Sequence, residues 1–204
     1  RQAQEQETPA PKTYKIYAVC DAHLDTQWNW DLTHTIREYI PRILFQNLWM
    51  LERYPDYKFN FEGGIIYRWM KEYYPLHYAR LQKYIDEGRW HISGASWNAN
   101  DPNMPSAESF IRNILQGQEL YKREFGVRST DIFLPDCFGF GYTLPSLAAH
   151  CGLIGFSTQK LSWRTLSQEE PLLVGRMVRY RRAVAHGGLR YGRVYRRTAG
   201  RRGV

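Results

Sequence analysis

Five short apolar runs, each giving way to a polar, aromatic-rich loop and the first four then to helical spacing, constrain this chain more than any other feature. The runs fall at residues 16–20, 57–61, 90–94, 130–134 and 153–157. Between the first two, Ile36, Ile40, Ile43, Leu44, Leu48 and Leu51 recur at three- and four-residue intervals over residues 35–53. Over residues 66–87, Tyr67, Met70, Tyr74, Tyr78, Leu81 and Ile85 do the same. That spacing marks one face of an α-helix. Pro41 predicts a kink or a late start in the first helix, because it lacks an N–H and crowds the preceding turn. Two more helices are expected: one from Ser106 as N-cap to Gly126, and one over residues 144–151, closed by Gly152. Strands separated by helices cannot pair as hairpins, so the repeat predicts a parallel sheet with right-handed crossovers.

In such sheets, ligand-binding groups collect beyond the C-terminal ends of the strands. Asp21, His23 and Asp25 follow the first run. In an extended segment, residues i and i+2 project the same way, so His23 and Asp25 reach one ion together. Asp21 shares that face as a third ligand or an orienting group. Glu62 closes the second run before Gly63 and Gly64, either as a turn residue or as a functional carboxylate beside a close backbone approach. The loop over residues 95–106 sets Trp97 among Asn98, Asn100, Asp101 and Asn103. It suits sugar recognition, with an apolar platform beside hydroxyl-binding groups, and Asx turns on a surface loop explain it nearly as well. Asp136 stands behind the fourth run, fixed by Pro135 and followed by Cys137, Phe138, Gly139 and Phe140. A carboxylate in that company points to function rather than solubility. His23, Asp25 and Asp136 make a partial nitrogen–oxygen metal site, and Zn2+ fits such ligands.

Charge narrows the partners. The formal net charge is +8, yet residues 171–204 hold ten Arg and no Lys, Asp or Glu, which leaves the preceding body slightly acidic. The abrupt change of vocabulary reads as an aberrant or disordered tail rather than a nucleic-acid-binding arm, and no nucleic-acid-binding motif accompanies it. Residues 1–13 are polar and uncapped, a disordered lead-in. No apolar run reaches the ~18 residues of a membrane span. Phosphate-binding glycine motifs and the G-x-S-x-G elbow are absent. The three cysteines, Cys20, Cys137 and Cys151, have apolar neighbours and read as packing residues rather than nucleophiles. Neither compartment nor oligomeric state follows from the sequence.

From the residues alone, a glycoside hydrolase and a metal-dependent sugar deacetylase or amidohydrolase stand close together, with a noncatalytic fragment bearing a basic tail as a third reading. Four segments separate them. Asp21-Ala22-His23-Leu24-Asp25-Thr26-Gln27-Trp28, residues 101–109, Leu134-Pro135-Asp136-Cys137-Phe138-Gly139-Phe140 and residues 156–163 together resemble glycoside hydrolase family 38, the α-mannosidases, over about residues 14–163.

The resemblance implies an α/β fold: an incomplete parallel (β/α)7-type barrel with about five βα units, occupying residues 14–170. It implies retaining, zinc-dependent removal of terminal α-linked mannose from an oligosaccharide or glycan. His23 and Asp25 resemble the family's paired zinc ligands. Asp136 resembles its nucleophile, which also touches the zinc, and the metal holds the sugar's 2- and 3-hydroxyls. Many members have His where this chain has Asp21, a position that is not a ligand, so Asp21 becomes a neighbour. The resemblance ends near Trp163, before the family's remaining zinc-binding His and its acid/base Asp. Little or no turnover is therefore expected of the 204-residue chain.

Overall fold

A computed structural model describes residues 18–159. The expected lead-in and the Arg-rich tail lie outside them. Three short strands, β1 (Cys20–Ala22), β2 (Phe59–Phe61) and β3 (Trp90–Ile92), pair in parallel in chain order. Ala22 is opposite Phe61, and Phe61 opposite Ile92. Strands β4 (Asp131–Phe133) and β5 (Gly155–Ser157) form a second parallel pair.

The α/β alternation holds, but the expected incomplete (β/α)7-type barrel does not form among the described residues: their strands make two small sheets that do not close. The break between β3 and β4 has a physical cause in contacts across the fold. Gly94 turns to φ +64° just after β3, out of the extended region. The Asp131 carboxylate then takes the place of a continuing ladder, its Oδ2 accepting from Ser93 Oγ at 3.0 Å and from Gly94 N at 3.3 Å. A main-chain bond from Ala95 N to Asp131 O, 3.0 Å, still ties the sheets together.

The helices follow their sequence signals except where proline intervenes. The first helical stretch opens with α1 (Leu32–His34), capped by Asp31, whose carboxylate accepts from His34 N. It widens to a π turn over Thr35–Tyr39 and resumes as α2 (Ile40–Arg53). Pro41 follows closely on the π turn, so the helix widens just where a residue without an N–H interrupts its ladder. The single helix expected over residues 66–87 is three: α3 (Gly64–Tyr73), α4 (Pro75–Tyr78) and α5 (Leu81–Asp86). Pro75 excludes the residue before it from helical geometry, and Tyr74 sits at φ −133°, ψ 50°. The apolar period survives because α3 and α5 still turn Tyr67, Met70, Leu81 and Ile85 inward.

Helix α6 (Ala107–Phe125) starts as predicted, with Ser106 Oγ accepting from Ser109 N, and ends at left-handed Gly126. Helix α7 (Leu144–His150) follows β4.

Two cores result. Leu44, Leu48, Phe59, Phe61, Tyr67 and Trp90 anchor the larger, between the first sheet and its helices. Phe110 and Ile114 of α6 pack with Ile132, Leu134 and Leu144 in the smaller. Each large side chain buried this way contributes about 1.5–3 kcal/mol. Cys137 and Cys151 pack against the smaller core, as expected, whereas Cys20 is exposed. Among the described residues no helix is long and apolar enough to cross a membrane.

Candidate metal centre

His23 stands one residue past β1, and Glu62 one residue past β2. Because Ala22 and Phe61 are register partners, the parallel ladder delivers the next two side chains next to each other. His23 Nδ1 lies 2.8 Å from Glu62 Oε1, and Glu62 is buried. The opposite edge of the ring faces the loop: Nε2 is 3.4 Å from Asp25 Oδ1. Asp136 arrives from the end of β4. One ligand atom each from His23, Asp25 and Asp136 lie within 4.8 Å of one another, and all three side chains are half-buried. Ligands ~2.0–2.2 Å from one tetrahedral zinc stand about 3.3–3.6 Å apart, so the three side chains would draw closer together to share an ion. One imidazole nitrogen and two carboxylate oxygens are also a zinc-compatible donor set.

The two halves of the His23–Glu62 pair pull on each other. Burial lowers the His23 pKa, but the Glu62 hydrogen bond and the charges of Glu62, Asp25 and Asp136 outweigh it and raise the pKa above its usual 6.5. Burial pushes the Glu62 carboxyl up, against the pull of His23. The two are a hydrogen-bonded imidazole–carboxylate pair.

Asp21 is exposed within β1, opposite Asn60, and stands outside the three-residue cluster. It lines the same cleft, about 330 Å³, along with His23, Phe133, Pro135, Thr158 and Gln159.

The loop after β3 serves the site as a strap. Asn103 Nδ2 donates to Gly139 O at 2.9 Å, and Cys137 Sγ lies 3.0 Å from Asn100 O, so this loop holds the segment that carries Asp136. Asn98 Nδ2 reaches Thr26 Oγ1 at 3.5 Å, beside Asp25. Asp101 is an Asx-turn residue, its Oδ1 accepting from Asn103 N at 2.7 Å. Trp97 is half-buried, packing against the larger core and abutting Gly64. The exposed aromatics on the site loops include Trp28, Phe138 and Tyr142. The sequence alone leaves Glu62 undecided and assigns Asn98 and Asn103 no strap role. The available signal was that Glu62, like His23, directly follows a strand.

A carboxylate- and imidazole-lined cleft at the C-terminal ends of parallel strands defines a hydrolase-type α/β domain with a candidate metal centre. The chain belongs to the glycosyl hydrolases family 38, whose N-terminal domain matches residues 13–171. Alpha-mannosidase G of Dictyostelium discoideum is 38% identical over 154 residues, covering 76% of this chain and 14% of that protein. Alpha-mannosidase 2C1 of Homo sapiens is 35% identical over 154 residues, with 76% and 15% covered. The chain thus spans about a seventh of the curated relatives it matches. Among solved structures, an alpha-mannosidase from Enterococcus faecalis V583 superposes with a TM-score of 0.61 at 24% identity, over 69% of this chain and 16% of that one. A 4-alpha-glucanotransferase from Thermococcus litoralis superposes at 0.53 and 18% identity, over 69% and 21%. These structural likenesses speak to the fold.

Proposed function

We propose that these residues form the nucleophile and metal half of a retaining, zinc-dependent α-mannosidase active site acting on terminal α-linked mannose in a glycan. The observation that carries the reading is the meeting of His23, Asp25 and Asp136, from two separate strand ends, within 4.8 Å in a chain of this family. His23 through Nε2, Asp25 and Asp136 would hold the ion. When bound, zinc supplies electrostatic grip on sugar hydroxyls and so orients the ring. Asp136 attacks the anomeric carbon as the glycosidic bond breaks, forming a mannosyl ester, and water later cleaves that ester to return the carboxylate. Two inversions at one carbon give net retention. Trp28 and Phe138, exposed on the same loops, offer apolar faces to the sugar.

The test is hydrolysis of an aryl α-mannoside by the protein with its full complement of domains, with zinc supplied and then chelated, and with Asp136→Asn as control. Expected are loss of release on chelation and in the variant, and α-mannose as the first-formed product. Release that survives chelation, or β-mannose as first product, would overturn the reading. Cleavage of acetylated sugars with aryl mannosides left intact would favour a deacetylase instead.

A further inference from the structure

We propose that Glu62 is the positioning residue that fixes the tautomer and orientation of His23, so that Nε2 is the nitrogen presented to the metal. This rests on the zinc reading of the His23, Asp25 and Asp136 cluster and deepens it. The ring has two nitrogens with different neighbours. Nδ1 is 2.8 Å from Glu62 Oε1, and Nε2 is 3.4 Å from Asp25 Oδ1. An imidazole that donates Nδ1–H to a carboxylate keeps its lone pair on Nε2, the atom on the cluster side.

Glu62 is itself held. It is 5% exposed, and its side chain packs against Gly94, where a Cβ would lie 3.3 Å from Oε2 and 3.4 Å from the Glu62 Cβ. Gly94 also has φ +64°, so a side chain there is disfavoured on both counts. The wall behind Glu62 is therefore a glycine backed by Phe133, whose Cβ is 3.2 Å from the same point. A carboxylate buried this deeply, one hydrogen bond behind a ligand, is the arrangement by which proteins orient metal-binding histidines.

The experiment compares zinc affinity, by competition with a chromophoric chelator, in the wild-type chain, Glu62→Ala and Glu62→Gln. It also reads the His23 tautomer by long-range 1H–15N NMR. Glu62→Ala is expected to bind zinc about 10–100-fold more weakly. Glu62→Gln keeps an oxygen that can accept from Nδ1–H and should recover most of that loss. Zinc-loaded wild type should show the proton on Nδ1.

Wild type that binds zinc while Glu62→Ala binds within about twofold of it would overturn the role of Glu62 and leave the zinc reading standing. Zinc-loaded wild type without a proton on Nδ1 would do the same, and this readout survives a Glu62→Ala chain that does not fold. A wild-type chain that binds no zinc would overturn the zinc reading itself, and this inference with it.

Discussion

Gly117, midway along α6, faces the main chain of the β3–α6 loop so closely that a Cβ there would lie 2.2 Å from Ala95 O. The carbonyl carbon of Ser96 and the nitrogen of Trp97 would be 2.5 and 2.6 Å away. All three are backbone atoms, so no side chain can swing aside. A glycine in a helix interior ordinarily costs about 1 kcal/mol relative to alanine, and here it is what lets the loop sit on the helix. Gly117→Ala is expected to destabilise the fold by about 1–3 kcal/mol or more, the reverse of its effect in an exposed helix. Denaturant midpoints of the two chains check this, and a stabilised variant would refute the close packing.

Tyr67 and Trp90 form a buried polar link inside the larger core. The indole Nε1–H donates to the Tyr67 hydroxyl at 2.8 Å, and the hydroxyl donates to Phe61 O at 3.1 Å. Phe61 O also accepts from Ser93 N at 3.0 Å, so it keeps a partner if Tyr67 is cut back. The indole N–H would not. Tyr67→Phe should cost about 1–3 kcal/mol, the penalty for an orphaned buried donor. In a background of Trp90→Phe the same change should cost less. Equal costs in both backgrounds would show that the link carries no energy.

Much of the fold was legible because it rests on local period. The alternation of apolar runs and helical spacing foretells the parallel strands and the buried helix faces, and Ser106 and Gly126 mark the ends of α6, while β1 begins only at Cys20, where its apolar run ends. Closure was not legible. Whether β3 and β4 share one ladder depends on Asp131 folding back onto Ser93 and Gly94, a contact between residues far apart in sequence. The break at Pro75 was readable in principle, since a residue before proline resists the helix, but the unbroken apolar stripe masked it. At the site, His23 and Asp25 are two residues apart and could be read as a pair. Asp136 was singled out by its company, but only the fold shows that it joins them. Glu62 stayed undecided because its partner is set by strand register.

Glu124 makes a pH-dependent contribution of known sign. Burial alone would raise its pKa, but hydrogen bonds and charges from Lys71 and Arg123 hold it below its usual 4.5. A carboxyl whose folded pKa is depressed adds stability above its unfolded pKa and loses it as pH falls through the folded value. Glu124→Gln should therefore be less stable than wild type at pH 7, by roughly 0.2–1 kcal/mol for a pair with one exposed partner. The gap should close as pH falls below 4.5 and through the lowered folded value. Urea midpoints at the two ends of that range decide it, and a gap that widened on acidification would contradict the assignment.

Zinc should act on the folded chain through His23, Asp25 and Asp136, and stability is the most direct readout because it needs no substrate. An ion that binds only the folded state stabilises it by RT ln(1 + [L]/Kd), about 2.7 kcal/mol at a hundredfold excess over Kd. Wild type should therefore melt higher with added zinc and return to its starting midpoint with a chelator. His23→Ala removes the nitrogen ligand and should abolish the shift, while Asp25→Ala and Asp136→Asn should each reduce it. A zinc-induced rise in His23→Ala equal to that in wild type would place the ion elsewhere on the surface and remove the cluster from consideration as the metal centre.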